Sequence, residues 1–340
     1  MTVVEVGICI STSKFCKKAV IQGELKDSPV NSLIVSPKYA ILKISYIMEA
    51  DTMYRDILNT IKIAADMDFE DASIMLENCV NGDTSFIDTI KQIGTIPESI
   101  AHDSTEEKLF SKASDAVLSR AFREIGLKST VIKERGDSAD VLAESPIHGY
   151  TLVADAKAFR MSRTAKNQKD FKVVALSGWR QDSDYAVLCS PYFQYPTKSS
   201  QIYSQAINHN LCLLSWEHLI FLIENGIRET ADTSFSPLWT FCDDYSHDVL
   251  CSDMKKCFIP KFNATVLELI GLSDELFVNQ LKKQIATISE RGNQEKLFWQ
   301  EEIKRIECYS REEAISELIK AKKIYEKIAQ IDTYIKGLQI

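Results

Sequence analysis

The sequence predicts an α/β fold: a mixed sheet flanked by helices, with a helical C-terminal part. Three observations carry that prediction. A capped amphipathic helix near 104–125 leads directly into three short strand-like runs. Helical and strand-like segments then alternate to about residue 224, the order of an α/β domain. From about residue 265 onward apolar residues recur at helical spacing alone.

The first 47 residues hold short apolar runs (VVEVGICI, KAVIQGEL, SLIVS, YAILKISYI) that read as small strands and contain no catalytic pattern. They are expected to be a dispensable extension, read from a start upstream of the folded core. At Met48 the texture changes to helical spacing, through MEADTMYRDILNTIKIAADMDFEDASIMLENCV. Ser104-Thr105-Glu106-Glu107 is a capping box, with Ser104 as N-cap and Glu107 three positions on. It starts a helix with Leu109, Phe110, Ala113, Val117, Ala121 and Phe122 on one face, which Gly126 stops. Strands follow near 129–134, 139–144 and 149–159, separated by turns at Gly136-Asp137 and at Pro146 through Gly149. A helix after Ser162 is expected to carry a basic series on its first turns and to end at Gly178. SDYAVLCS reads as a strand, SQIYSQAIN as a helix, LCLLSW as a strand and WEHLIFLIENG as a helix capped by Ser215. In the C-terminal part, Ser310 and Glu313 form another capping box.

With 340 residues and 45% hydrophobic content, the chain can bury a large core. No apolar run is long enough to span a bilayer, so no membrane partner is expected. The N-terminus lacks a basic leader followed by an apolar block, and nine cysteines without regular spacing read as reduced thiols. Both point to the cytoplasm. A net charge of −8 disfavours general coating of nucleic acid but allows one local basic cleft, because screening confines such fields to about 10 Å.

Asp155-Ala156-Lys157 ends the third strand, and Asp140 lies in the second, fifteen residues earlier. Alternation along a strand puts Asp155 and Lys157 on one face. Two acids converging with a lysine suit a hard, oxygen-seeking cation such as Mg²⁺. The lysine can hold a water beside it or stabilise negative charge on a transferring phosphate. Behind the triplet come Arg160, Arg163, Lys166, Lys169 and Lys172, three apart, a route for a polyanion. Asn167, Gln168 and Asp170 add directional groups of the kind that read base edges. The pattern is that of phosphodiester cleavage coupled to sequence reading.

Plainer readings stand beside this one. A D-x-K triplet alone is usually a structural ion pair at a strand end, and a charge run is usually a solvated face. Cys242, His247, Cys251 and Cys257 match no common zinc spacing. His218 is expected at a helix start rather than as a base, and Trp179, Tyr192 and Phe193 as core or subunit-contact aromatics. Glu107 could reach the metal from its helix, although its capping role suffices.

From about Gly94 to Glu224 the chain resembles the HindIII-type Type II restriction endonucleases. The likeness is carried by STEEKLFSKASD, ERGDSADV, LVADAKAFRMSRTAKNQKDFKV, YAVLCSPYFQYPT and LLSWEHL. It begins near Met48 and continues more weakly through SREEAI. The resemblance implies a restriction-endonuclease-like PD-(D/E)XK core and a Mg²⁺-dependent homodimer, with Mn²⁺ as a substitute metal. It further implies double-stranded DNA as substrate, cut at AAGCTT after the first A, and a cognate DNA methyltransferase as functional partner in a bacterial cytoplasm. Asp140 matches the acid of the PD half, with Ala139 in place of proline, while Asp155 and Lys157 match the second half. Asp140, Asp155 and the Ala156 carbonyl would hold the metal. Asn167, Lys169 and Asp170 would contact bases; Arg163, Lys166 and Lys172 would meet phosphates, or for Lys172 support the active site. The implied organisation is an extension at 1–47, a nuclease core with N-terminal helices at 48–260, and a helical region at 261–340 that packs on the core or a second subunit. Two other readings of the same fold remain open. Intact Asp140, Asp155 and Lys157 argue against a catalytically silent DNA-binding protein. The idiosyncratic basic run argues against a repair or branched-DNA nuclease.

Overall fold

The computed structural model describes residues 54–133, 138–163, 168–196, 200–247 and 254–337. The expectations for residues 1–47 and for the turn at Gly136-Asp137 lie outside the described residues. Helix α1 (54–64) buries Tyr54, Ile57, Ile61 and Ala64, one helical face. Helix α2 (Phe69–Gly82) is capped by the Asp68 carboxylate and buries Ala72, Leu76 and Val80 at four-residue spacing. Helix α3 (Phe86–Ile93) follows. The central helix α4 (Thr105–Glu124) starts where the capping pattern places it, with the Ser104 hydroxyl accepting from the Glu107 N–H. It ends at Gly126, whose φ of +99° favours glycine, and where a Cβ would press against the Glu229 backbone nitrogen at 3.1 Å.

Strands β1 (Lys128–Val131), β2 (Val141–Glu144), β3 (Thr151–Ala156), β4 (Tyr185–Ser190) and β5 (Leu211–Ser215) form one mixed sheet in sequential order. β1, β2 and β3 are antiparallel, whereas β3, β4 and β5 are parallel. Every residue of β5 is buried, and β4 is buried after Tyr185, the pattern of strands covered on both faces. α4 packs across β1, β2 and β3. Helices α5 (Gln168–Phe171), α6 (Val173–Trp179), α7 (Gln201–Asn208) and α8 (Trp216–Glu224) complete the surround, with α6 and α7 against the parallel strands. Short helices α9 (Ser236–Trp239) and α10 (Phe241–His247) follow, and Trp239 meets Phe122 of α4 edge to face.

The C-terminal part is helical, as its periodicity predicts: α11 (Met254–Ile270), α12 (Asp274–Glu307), α13 (Arg311–Ala321) and α14 (Ile324–Gly337). α12 packs on the core through Phe277, Gln280, Gln284 and Glu295. Phe277 stacks on His218, and Glu295 accepts from the Glu98 N–H at 2.8 Å. Beyond Lys296 the helices bury almost nothing, although Ser310 and Glu313 close their capping box as expected. Among the described residues no helix is long and apolar enough to cross a membrane.

One expectation is corrected. The continuous basic helix after Ser162 is two short helices, α5 and α6, broken at Lys172 in a left-handed conformation with φ 50°. Phe171 is fully buried between Phe159 and Tyr195, and Val173 is buried as well. The left-handed turn at Lys172 separates the two helices, and Phe171 and Val173 are buried on either side of it. Gly178 lies inside α6, which ends at Trp179.

Candidate active site

The antiparallel register pairs Val141 with Ala154, and one further step sets Asp140 opposite Asp155. Asp140 lies one residue before β2, yet its N–H still donates to the Ala154 carbonyl and its carbonyl accepts from Ile132. Asp155 is buried, and Lys157 reaches back along the same face to place its ammonium 2.5 Å from Oδ2. The main chain of Lys157 is gripped on both sides: its N–H donates to Cys189, and its carbonyl accepts from the Trp216 indole at 3.0 Å. Parallel pairing of β3 with β4 and the start of α8 therefore fix the lysine.

A third acid joins them from α4. Carboxylate oxygens of Asp115, Asp140 and Asp155 lie within 4.8 Å of one another. Lys112, one turn before Asp115, bridges Asp115 at 3.2 Å and Asp140 at 2.5 Å. Burial pushes the Asp115 carboxyl well above the usual range, and the Asp140 charge adds to the shift against the pull of Lys112. Burial likewise raises Asp155, opposed by Lys157. For Lys112 burial works against the charge, but Asp115 and Asp140 outweigh it and raise its pKa. Burial is the main cause of both shifts, so a cation entering the cluster would compensate carboxylate charge that water does not reach. The all-oxygen donor set of Asp115, Asp140 and Asp155 fits a hard divalent cation.

The other expected residues are placed as follows. Glu107 stands apart from the three carboxylates: it accepts from the Asp103 N–H and pairs with Arg160 at 2.7 Å. Arg160 is therefore not part of a free basic row; its second amino group holds the Pro97 carbonyl. Arg163 pairs with Asp170, and Lys172 stands 5.9 Å from the Trp179 ring, close enough to Asp155 for its charge to lower that carboxyl. Lys169 lies on α5. Lys166 and Asn167 fall outside the described residues, as does Cys251. Cys242 donates to the Leu211 carbonyl. His218 is a buried N3 residue, its ring shared between Ser215 and Asn263. Phe193 is exposed, while Tyr192 packs on His218 and Phe277.

Residues 56–335 match the family model described as HindIII restriction endonuclease. The chain is also 46% identical over 253 residues to the Type II restriction enzyme HindIII of Haemophilus influenzae, covering 74% of this chain and 84% of that protein. The chain belongs to the HindIII restriction endonuclease family. Membership makes it a restriction endonuclease, a DNA-binding nuclease with the PD-(D/E)XK core. The mixed sheet and the carboxylate cluster at the ends of its second and third strands agree with that core.

Asp115 and Lys112 were not apparent as members of this HindIII-family site. Helical spacing gave no signal: Asp115 falls away from the face of Leu109, Phe110, Ala113 and Val117, yet α4 is covered on that side as well and Asp115 is 3% exposed. A buried acid needs a cation or a metal beside it.

Proposed function

We propose that the protein is a Type II site-specific deoxyribonuclease that hydrolyses double-stranded DNA at the palindrome A^AGCTT. The reaction depends on Mg²⁺, with Mn²⁺ as a substitute, and leaves 5′-phosphate ends with four-nucleotide 5′ overhangs. The observation that carries this reading is the cross-strand pair Asp140 and Asp155, with the Lys157 ammonium on the second acid. Asp140, Asp155 and the Ala156 carbonyl, with Asp115 beside them, would hold the cation. When bound, it supplies Lewis-acid polarisation of the scissile phosphate and a water of lowered pKa. Lys157 orients the attacking water and offsets charge that develops on the phosphate oxygens. The water oxygen bonds to phosphorus in line, the P–O3′ bond breaks, and the 3′ oxygen leaves as a hydroxyl.

Asn167, Lys169 and Asp170 read base edges in this proposal, while Arg163 and Lys166 meet phosphates. Lys172 supports the active site, consistent with its influence on Asp155. Asn167→Ala is expected to lose about 1–3 kcal/mol of discrimination at a single base pair. Binding to duplexes altered at one position each measures this, and equal weakening on every sequence would move Asn167 to the backbone.

A palindrome calls for two sites related by a two-fold axis, hence a homodimer. A surface for it is offered by α14, where Ile324, Ile328, Ile331 and Ile335 share one face and are 37–59% exposed. Residues 297–337 carry eight acidic and eight basic side chains, which gives no net attraction to DNA but suits a second copy. A double change of Ile328→Glu with Ile331→Glu is expected to shift the mass in light scattering from dimer toward monomer; an unchanged mass would place the interface elsewhere. A cognate methyltransferase in the same bacterial cytoplasm is the functional partner that protects host DNA.

The proposed core spans 48–260, with the helical region at 261–340. The family match starts at residue 56, which supports treating 1–47 as dispensable. Their deletion is expected to leave a folded enzyme with unchanged cleavage, and loss of soluble protein would show them to be structural.

Digestion of a fully sequenced phage DNA with protein and Mg²⁺, followed by end sequencing, tests the whole reading. Discrete fragments with 5′-AGCT overhangs are expected. Other discrete ends would move the recognition sequence, and intact DNA with a specific shift in a binding assay would favour a silent binder.

A further inference from the structure

Lys112 has no role in the chemistry above, yet it sits at the centre of the acid cluster. Its ammonium lies between Asp115 Oδ2 and Asp140 Oδ1, at 3.2 and 2.5 Å, while Lys157 serves Asp155 separately. A divalent cation bonds to carboxylate oxygens at about 2.0–2.1 Å. It would have to share these two oxygens with a positive charge already in contact with both. Like charges at such separations repel, and that repulsion opposes the attraction that binds the ion.

We propose that Lys112 is a resident counter-cation: it holds the seat between Asp115 and Asp140 until a divalent cation enters, and then withdraws. The inference rests on reading the three carboxylates as the metal seat.

The contacts support an exchange: a divalent ion in place of Lys112 offers Asp115 and Asp140 two positive charges where one stood, and keeping Lys112 beside it would set like charges in contact. The surroundings supply a destination. Lys112 also lines a cavity of about 750 Å³ between α2 and the β1–β2 edge, whose walls include Asp68, Glu70 and Glu77. Its four-carbon stem lets the ammonium swing from the cluster toward those acids without moving α4. In the metal-free protein Lys112 suppresses repulsion among buried acids; in the loaded protein it has left. Metal affinity without DNA is lowered accordingly, because entry must displace an internal cation.

Calorimetric titration of Mn²⁺ into DNA-free protein tests this without reference to cleavage. Lys112→Met is expected to bind Mn²⁺ at least about tenfold more tightly than wild type, and Mn²⁺ to raise its melting temperature further than it raises that of wild type. A folded Lys112→Met that binds no tighter overturns the proposal and leaves Lys112 as a fixed structural cation. Should that variant fail to fold, the unaltered protein decides. Brief acetylation followed by mass spectrometry is expected to modify Lys112 several-fold faster with saturating Mg²⁺ than without, and equal rates overturn the proposal. Asp155→Asn serves as the control for the underlying reading. If it binds Mn²⁺ as wild type does, the metal seat itself is misplaced; if it loses binding while Lys112 behaves as a fixed cation, only the exchange fails.

Discussion

Asp155→Ala is expected to reduce DNA cleavage by on the order of 10³-fold or more while leaving specific binding within about tenfold of wild type. The expectation follows from where the side chain lies. Asp155 is buried at the end of β3, opposite Asp140 and in contact with Lys157, and reaches DNA only through what it holds in place. A carboxylate beside a polyanion does nothing for DNA affinity, so its loss does not weaken binding. Lys157→Ala is expected to abolish cleavage to a similar degree. It also leaves the buried Asp155 carboxylate without its ion-pair partner and lowers stability, which makes Asp155→Ala the cleaner variant. Initial rates on a short duplex with Mg²⁺, paired with metal-free binding to the same duplex, measure both effects. Normal cutting by either variant would remove this cluster from the reaction.

The second large effect concerns stability and lies at the start of α8. Burial raises Glu217 from its ordinary 4.5 to about 7, against the opposing hydrogen bonds of the Tyr192 N–H and the Ser215 hydroxyl. Burial lowers the adjacent His218 from 6.5 to about 4, against the hydrogen bond its ring N–H donates to the Asn263 side-chain oxygen. Their signs are opposite. The Glu217 pKa is higher folded than unfolded, so its contribution is full below pH 4.5 and is lost as pH rises through 7. The His218 pKa is lower when folded, so its contribution is full above pH 6.5 and is lost as pH falls through 4. Between pH 4.5 and 6.5 the two slopes cancel. Glu217→Gln keeps an acceptor for the Tyr192 N–H and removes one slope. Relative to wild type, the variant is expected to gain on the order of 3 kcal/mol between pH 4.5 and 7.5. Urea unfolding of both proteins across that range reads the difference directly. Parallel curves would mean that Glu217 titrates alike in the folded and unfolded chains.

Much of the architecture was legible because it is encoded over short distances. Ser104, Ser215 and Ser310 each mark a helix start through contacts with residues three positions on, and all three hydroxyls cap as their spacing predicts, although the Glu107 carboxylate returns to the Asp103 N–H rather than to Ser104. The alternation in TLVADA and the short connection to the preceding strand were enough to bring Asp140, Asp155 and Lys157 to one sheet end. The basic segment was less legible. Charges three apart suggested one helix, yet Lys172 takes a left-handed conformation that ends α5 and starts α6, with Phe171 and Val173 buried on either side. Arg160, counted with the basic row, is committed to Glu107 on α4, 53 residues away in sequence.

The sequence by itself determined the α/β class, the order of the elements, the cross-strand acids with their lysine, and, through resemblance, the family. Each of these depends on periodicity, capping or the fixed geometry of neighbouring strands, which act over a few residues or one short turn. Only the tertiary structure decided that α4 lays Asp115 and Lys112 against the sheet end, that Glu107 is spent on Arg160, and that a cavity opens beside Lys112. Asp115 lies 25 residues from Asp140 and 40 from Asp155. No local rule joins residues so far apart. They meet because the buried face of α4, from Leu109 to Phe122, packs on the sheet in one way and carries its two charged residues with it.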